Sequence, residues 1–135
     1  RAVHIFVFNS ADELLIHKRS ATKDEQPNLW TSSAAGHLSA GEHYAETADR
    51  EMLEEIGLTG ELEFLHKFAA TPETSREHVA LYRMTSDETP TFDPVEIAEG
   101  KFCSLAEIDA QISESREKFS TSFRVLYEWY RQNYS

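Results

Sequence analysis

Residues 36–58 read GHLSAGEHYAETADREMLEEIGL and give the clearest helix signal in the chain. A helix is predicted over residues 45–56, and it ends at Gly57 because glycine readily adopts the left-handed conformation that closes many helices. Apolar residues at helical spacing form one stripe, which is expected to face the core. The members of this stripe are Ala45, Ala48, Met52 and Ile56.

Three glutamates lie along the opposite edge of the predicted helix. At 100° per residue, Glu54 and Glu55 fall on either side of Glu51, and like charges at this spacing repel by a few tenths of a kcal/mol per pair. Such a cluster is either a solvated acidic face or a site for a divalent cation. A glycine-containing loop over residues 36–41 and the stop at Gly57 fix its position. Carboxylate oxygens suit the hard cations Mg²⁺ and Mn²⁺, so the sequence favours a metal site.

The same segment matches the Nudix box, G-x5-E-x7-R-E-U-x-E-E-x-G-U with U aliphatic, at every specified position. The matching residues are Gly36, Glu42, Arg50, Glu51, Met52, Glu54, Glu55, Gly57 and Leu58. The chain therefore resembles the Nudix superfamily, whose members hydrolyse a diphosphate linked to some other group. The resemblance implies an α+β fold, which is an α/β/α sandwich with a mixed β-sheet flanked by helices. It also implies a single Nudix hydrolase domain over residues 1–135.

A ligand set for the metal follows from the resemblance. Glu51 and Glu55 correspond to the main ligands, and Glu54 belongs to the same cluster. The backbone carbonyl of Ala35, just before the box glycine, resembles a further ligand of the family. Bound Mg²⁺ or Mn²⁺ would neutralise a polyanionic substrate and lower the pKa of a coordinated water.

Further residues are implied to complete the catalytic machinery. Arg50 resembles the family arginine that orients the box carboxylates through charge-assisted hydrogen bonds, and Glu42 is expected to hold the loop or to pair with it. The base that deprotonates the water is either a carboxylate of the glutamate cluster or one from a neighbouring loop. Glu77 is the candidate from the loop, and Glu73 in the same turn could replace it.

Residues 14–37 read LLIHKRSATKDEQPNLWTSSAAGH and resemble the isopentenyl-diphosphate isomerase branch of the superfamily. In that branch a basic residue and a lysine four positions later grip the substrate diphosphate, and they match Arg19 and Lys23. Guanidinium and ammonium groups suit phosphate oxygens, although both residues could also be solvated charges at the end of a strand. The isomerase needs a cysteine directly before the box glycine. Because Ala35 stands there, the sequence disfavours isomerisation.

Two more residues of this stretch are candidate substrate contacts. His37 matches a metal-binding histidine of the isomerase and is expected either to contact substrate phosphate or to cap the loop. Trp30 either stacks on a base, lines an apolar pocket or belongs to the core. The other histidines lack the short spacing of metal ligands and are interpreted as structural or surface groups: His4, His17, His43, His66 and His78.

The rest of the chain reads as strands interleaved with a few helices, which favours an α+β or α/β sandwich around a mixed sheet. The predicted strands are 2–8, 13–19, 62–71, 78–85 and 101–105, and the further helices are 105–114 and 120–132. The loops over residues 20–30, 71–77 and 86–99 are expected to determine specificity.

The chain is acidic, with 13 Lys and Arg against 24 Asp and Glu and a net charge of −11. Nucleic-acid polymers and anionic membranes are therefore poor partners, since a polyphosphate backbone requires basic patches. No apolar run approaches the roughly 18 residues that span a bilayer, and no secretory leader is expected. Cys103 is the one cysteine, which predicts a buried structural thiol in a cytoplasmic protein. A homodimer is compatible with the family resemblance.

Two classes of function fit these features. The first is a Mg²⁺-dependent hydrolase of a small diphosphate compound, and the second is a catalytically silent Nudix module that binds a nucleotide or diphosphate. All the box carboxylates are present, which favours the hydrolase, because binding alone does not require the whole cluster. Nucleotide sugars, dinucleotides, thiamine-type diphosphates and isoprenoid diphosphates are all candidate substrates.

Overall fold

The computed structural model describes residues 1–23 and 26–134, so part of the predicted 20–30 loop lies outside the described residues. Its strands are β1 (Ala2–Phe8), β2 (Leu14–Arg19), β3 (Trp30–Thr31), β4 (Ala34–His37), β5 (Glu63–Phe68), β6 (Val79–Thr85) and β7 (Ile97–Cys103). Its helices are α1 (Tyr44–Ile56), α2 (Leu105–Glu114) and α3 (Thr121–Tyr134), with single 3₁₀ turns at Pro72–Thr74 and Arg116–Lys118. None of the described helices is both long enough and apolar enough to cross a membrane.

The described strands form one mixed sheet in which β1 is central. The main order is β3-β2-β1-β6-β5, with β4 also paired to β1 and β7 to β2. β1 runs parallel to β6, with Ala2 opposite Val79 and Phe8 opposite Thr85. The other strand pairs are antiparallel. This arrangement brings the last residues of β2 and β4 and the first residue of β6 to the same end of the sheet.

β1 is buried on both of its faces, which is why its sequence is apolar almost throughout. Val3, Ile5 and Val7 pack with the apolar face of α1. Phe6 and Phe8 point the other way, into a core that includes side chains of α2 and α3. Each fully buried aliphatic or aromatic side chain contributes about 1.5–3 kcal/mol relative to its exposed state. The expected mixed sheet flanked by helices is therefore confirmed.

The structure corrects several details of the sequence prediction. Gly36 and the segment before it belong to a strand, because β4 pairs with β1, whereas a loop was predicted from residue 36. Ala45 is exposed and does not belong to the core stripe of α1, which contains the buried residues Ala48, Met52 and Ile56. Thr47 is buried instead, and its buried hydroxyl is satisfied because it donates to Glu42 Oε1 at 3.0 Å.

β7 is longer at its start than the sequence predicted. It begins at Ile97, inside the predicted loop over residues 86–99, and pairs with β2 so that Arg19 lies opposite Ile97. Cys103 at the end of β7 is buried, as expected, and burial raises the pKa of its thiol.

Candidate active site

A polar cavity of about 440 Å³ opens where α1 meets the ends of β2 and β4. Glu51 and Glu55 from α1 lie on its wall, together with Arg19 and Lys23 at the end of β2. Acidic and basic side chains therefore line the same space. This arrangement suits a ligand that carries both an anionic group and a bound cation.

Glu55 is the buried carboxylate of this cavity, with 8% of its surface exposed. Its Oε1 accepts a hydrogen bond from the backbone N–H of Ala35 at 3.1 Å. Burial and a hydrogen bond with the Glu51 carboxyl raise the pKa of Glu55 well above its usual value. The two carboxyl groups are thus close enough to share a proton, and a divalent cation could take its place because both supply hard oxygen ligands.

Arg50 links the box residues through its guanidinium. Nε and Nη2 donate to the two carboxylate oxygens of Glu42 at 2.8 and 2.9 Å, and Nη1 donates to Glu51 Oε1 at 2.8 Å. The hydrogen bonds from Arg50 lower the pKa of Glu42 to about 2. Nη2 also donates to the carbonyl of His37 at 3.3 Å, which ties α1 to the end of β4. A planar guanidinium with five donors can hold all these groups at once, and an ammonium cannot.

The predicted cluster of three carboxylates is gathered only in part. Glu54 also lines the cavity, but it is exposed, and its Oε2 accepts a hydrogen bond from Arg50 Nη1 at 3.2 Å. Within residues 1–23 and 26–134, no three His, Cys, Asp or Glu side chains are close enough together to hold a metal ion. The helix places Glu51 and Glu55 on the cavity side because Glu55 is four residues further on, one turn along the same face.

The predicted phosphate-gripping residues both line the cavity. Lys23 forms an ion pair with Glu96, which also lines the cavity and was not predicted. Glu96 immediately precedes β7, whose pairing with β2 carries it to the end of that strand next to Arg19. The sequence would have indicated Glu96 as a cavity residue only if β7 had been predicted to begin at Ile97.

Glu77 and His37 lie at the same cavity, and His37 Nε2 is 3.5 Å from Glu77 Oε1. The His37 side chain is 65% exposed, so it can contact a bound ligand. Glu73, the alternative loop carboxylate, is exposed and is not among the described residues that line the cavity. Of the two, Glu77 therefore has the better position for contact with a bound water.

Trp30 does not reach this cavity. Its ring packs against the core between the sheet and α3, and Lys101 Nζ lies 4.7 Å from the ring centre. The sequence placed Trp30 close to the box along the chain, but β3 pairs with β2 and turns the side chain away from the cavity lining. Of the alternatives considered for Trp30, the structure agrees with the core role.

Two buried histidines form part of the cavity wall, which the sequence did not indicate. His4 Nδ1 lies 2.6 Å from Ser32 Oγ, and His17 Nδ1 lies 2.9 Å from the carbonyl oxygen of Ser33. Burial is the main cause that lowers their pKa values, to about 3 for His4 and about 4 for His17. Both rings are therefore neutral at pH 7.

Comparison with known proteins agrees with these features. A family model described as the NUDIX domain matches residues 1–123. The chain is 33% identical over 127 residues to isopentenyl-diphosphate Delta-isomerase 1 of Aromatoleum aromaticum, covering 89% of this chain and 71% of that protein. It is also 34% identical over 103 residues to an uncharacterised Nudix hydrolase of Pseudomonas aeruginosa, covering 76% of this chain and 61% of that one.

Solved structures resemble the whole fold. The crystal structure of DR0079 from Deinococcus radiodurans has a TM-score of 0.86 and 30% identity, and the match covers 100% of this chain and 83% of that one. The NUDIX domain of Shewanella oneidensis NrtR, solved with ADP-ribose, has a TM-score of 0.78 at 16% identity, covering 99% of this chain and 87% of that one. At that identity the second likeness concerns the fold alone.

Proposed function

The chain belongs to the Nudix family and is a pyrophosphohydrolase of that type, and we propose that it uses Mg²⁺ or Mn²⁺ to hydrolyse a small diphosphate compound with water. The observation that carries this proposal is that acidic and basic side chains line the same cavity. Glu51 and Glu55 offer carboxylate oxygens for a cation on one side, and Arg19 and Lys23 offer positive charge for phosphate oxygens on the other.

The donor set fits a hard divalent cation. The pKa of Glu55 is raised first by burial and then by the neighbouring Glu51 carboxyl, and a cation would relieve the repulsion between the two carboxylates. Glu51 and Glu55 would hold the ion, Glu54 could join after rotating away from Arg50, and the carbonyl of Ala35 is a further candidate ligand. When bound, such an ion supplies charge neutralisation and an acidified water.

The other side chains act on the substrate and on the water. Arg19 and Lys23 would bind and orient the diphosphate, which reduces the entropy cost of reaching the reactive geometry. Arg50 is a positioning residue, since it holds Glu51 and Glu42 and is not proposed to touch the substrate. Glu77 is proposed to accept the proton of the attacking water.

Isomerisation is the alternative suggested by several relatives, which are isopentenyl-diphosphate Delta-isomerases. The methyl group of Ala35 cannot transfer a proton to carbon. Cys103, the one cysteine of the sequence, is buried in the core between the sheet and α3 and does not line the cavity. The chain therefore lacks the proton-transfer group on that side, and hydrolysis is the better proposal.

The test is a screen for phosphate release over a panel of diphosphates, with and without added Mg²⁺ or Mn²⁺. We expect hydrolysis that requires the ion and that falls at least about 100-fold in Glu55→Gln, because the ligand charge is lost while the shape is kept. Glu61→Gln is the control, since Glu61 is exposed and outside the cavity lining. Full turnover by Glu55→Gln would contradict the assigned site, and tight diphosphate binding without hydrolysis would indicate a silent binding module. The homodimer, the single domain and the cytoplasmic location remain predictions.

A further inference from the structure

His17 is positioned to contact the part of a ligand that lies beside Arg19, one of the predicted phosphate-binding residues. It is on β2, two residues before Arg19, and it lines the cavity although only 3% of its surface is exposed. A carbonyl oxygen can only accept a hydrogen bond, so the contact of Nδ1 with the Ser33 carbonyl at 2.9 Å requires the proton to be on Nδ1. In the neutral ring, Nε2 then carries a lone pair and can only accept.

Neutrality of the ring is supported by its surroundings. Burial lowers the pKa of His17 to about 4, and the positive charge of Arg19 acts in the same direction. The ring therefore stays unprotonated at pH 7, even though the hydrogen bond with the Ser33 carbonyl and, to a smaller extent, the charge of Glu96 raise its pKa. The hydrogen bonds among the described residues include one at Nδ1 of this ring and none at Nε2, which leaves Nε2 for a bound molecule.

The identity of the matching group follows from hydrogen-bond chemistry. Phosphate oxygens are acceptors with negative charge, so they do not match an Nε2 lone pair. A donor does match it, and the hydroxyl of a sugar is the donor attached nearest to the phosphates in a sugar or nucleoside diphosphate. Because Arg19 is only two residues away on the same strand, the hydroxyl would belong to the part of the substrate directly attached to the diphosphate.

The rest of the cavity wall agrees with a hydroxylated group. Its described lining contains no Phe, Tyr or Trp, and the only wholly apolar side chains are those of Ala2, Ala35 and Val79. Polar groups such as Thr31 and Ser120 are present instead, and Ser120 Oγ donates to Thr31 Oγ1 at 3.0 Å. A hydrocarbon group would gain little from burial against such a wall, since each methylene needs apolar surroundings to contribute its ~0.8 kcal/mol.

We infer that His17 Nε2 is a specificity-determining acceptor, which selects diphosphates whose attached group carries a hydroxyl, as in sugars, over those whose attached group is a hydrocarbon. This inference rests on the proposed function and narrows its substrate class. It separates the chain from its relatives that are named for isopentenyl diphosphate, in which the group attached to the diphosphate is a hydrocarbon.

The test compares UDP-glucose and ADP-ribose with isopentenyl diphosphate and ethyl diphosphate. We expect the wild-type protein to show a kcat/KM about 100-fold or more higher for the hydroxylated pair. In His17→Asn the amide can keep the bond to the Ser33 carbonyl but cannot reach the position of Nε2. This variant should reduce the preference about tenfold, which corresponds to one neutral hydrogen bond.

His17→Gln is the matched variant, because its longer side chain returns an oxygen acceptor to the region of Nε2. We expect it to recover most of the preference, and thermal melting of both variants shows whether they are folded. A wild-type preference for the hydrocarbon pair, or an unchanged preference in His17→Asn, would overturn the inference.

A binding measurement separates this inference from the proposed function. The probe is α,β-methylene-ADP, which has ribose hydroxyls and a bridge that cannot be hydrolysed. We expect the ¹⁵N resonance of His17 Nε2 to move upfield on binding, as it does when a lone pair accepts a hydrogen bond. No movement on saturation would overturn the role of His17. Hydrolysis of no diphosphate, together with an upfield shift, would overturn the proposed function alone.

Discussion

Gly36 leaves the space that the carboxylate of Glu51 occupies: a Cβ placed on Gly36 would lie 2.2 Å from Glu51 Cδ. The two residues are on β4 and α1, and their close approach sets how near the helix carboxylate comes to the strand. Any side chain at position 36 must therefore displace Glu51.

Gly36→Ala should impair catalysis much more than folding. The methyl group meets the flexible end of a glutamate, which can rotate away at small cost to stability, but the carboxylate then leaves its position. We expect kcat to fall about 100-fold, as for other small misplacements of catalytic groups, with little change in melting temperature.

Gly41→Ala is the matched control for this substitution. Gly41 has a φ of +83° and no atom within 4 Å of an added Cβ. It should lose about 1 kcal/mol or more of stability through backbone strain and keep its turnover. If Gly36→Ala kept its turnover and Gly41→Ala lost it, the proposed role of the contact with Glu51 would be contradicted.

Arg50→Lys should lower turnover because an ammonium cannot hold Glu42 and Glu51 at the same time. We expect kcat to fall about tenfold or more and the free energy of unfolding to fall by about 1–3 kcal/mol. Steady-state kinetics and urea unfolding measure the two effects.

Arg131→Lys controls for the general loss of a paired arginine. Arg131 donates to both carboxylate oxygens of Asp109, at 2.7 and 3.2 Å, and neither residue lines the cavity. We expect a loss of stability without a change in kcat. If both variants kept full turnover, Arg50 would have only a structural role.

Glu96→Gln should tighten substrate binding. Glu96 pairs with Lys23 and so competes with the substrate for its ammonium group. Since partly exposed ion pairs contribute about 0.2–1 kcal/mol, releasing Lys23 should lower KM by up to about fivefold. Glu99→Gln removes the same charge from an exposed position outside the cavity lining and should leave KM unaltered. A higher KM in Glu96→Gln would indicate that Glu96 itself holds the substrate or its cation.

His4 should make the folded protein sensitive to mild acid. Its pKa is about 3 in the folded chain, mainly through burial, against 6.5 for an unperturbed histidine. As the pH falls below about 6.5 the unfolded chain takes up the proton first, so the free energy of unfolding declines by up to ~1.4 kcal/mol per pH unit from this residue. Above that pH His4 contributes no dependence.

His4→Asn should remove this contribution, because an amide does not titrate and can keep the bond to Ser32 Oγ. Urea unfolding at pH 7.5, 6.5 and 5.5 gives the slopes to be compared. Identical slopes for the wild-type protein and the variant would show that His4 can be protonated within the folded structure.

Local patterns predicted the elements that depend on neighbours along the chain. The spacing of Glu51, Glu55 and Gly57 is a property of one helix, and the structure places both carboxylates in the cavity. His17 and Glu96 were not predicted as cavity residues, because their positions depend on the pairing of β2 with β7. That register joins distant segments, and no local periodicity encodes it.

Trp30 and Glu54 also show what local sequence patterns predict and what they leave undetermined. The sequence suggested that both would contribute to the site, but β3 turns Trp30 into the core, whereas Glu54 lines the cavity from an exposed position next to Arg50. Helix periodicity gives each side chain an angle around the axis, but it does not determine that the Glu51 side chain is 13% exposed and that of Glu54 is 56% exposed.

The parallel pairing of β1 with β6 also has a consequence for biosynthesis. β1 leaves the ribosome well before Val79–Thr85, and translation proceeds at about 5–20 residues per second. An almost wholly apolar strand therefore waits several seconds for its parallel neighbour while the nascent chain is still tethered. During that interval a chaperone could shield its apolar side chains.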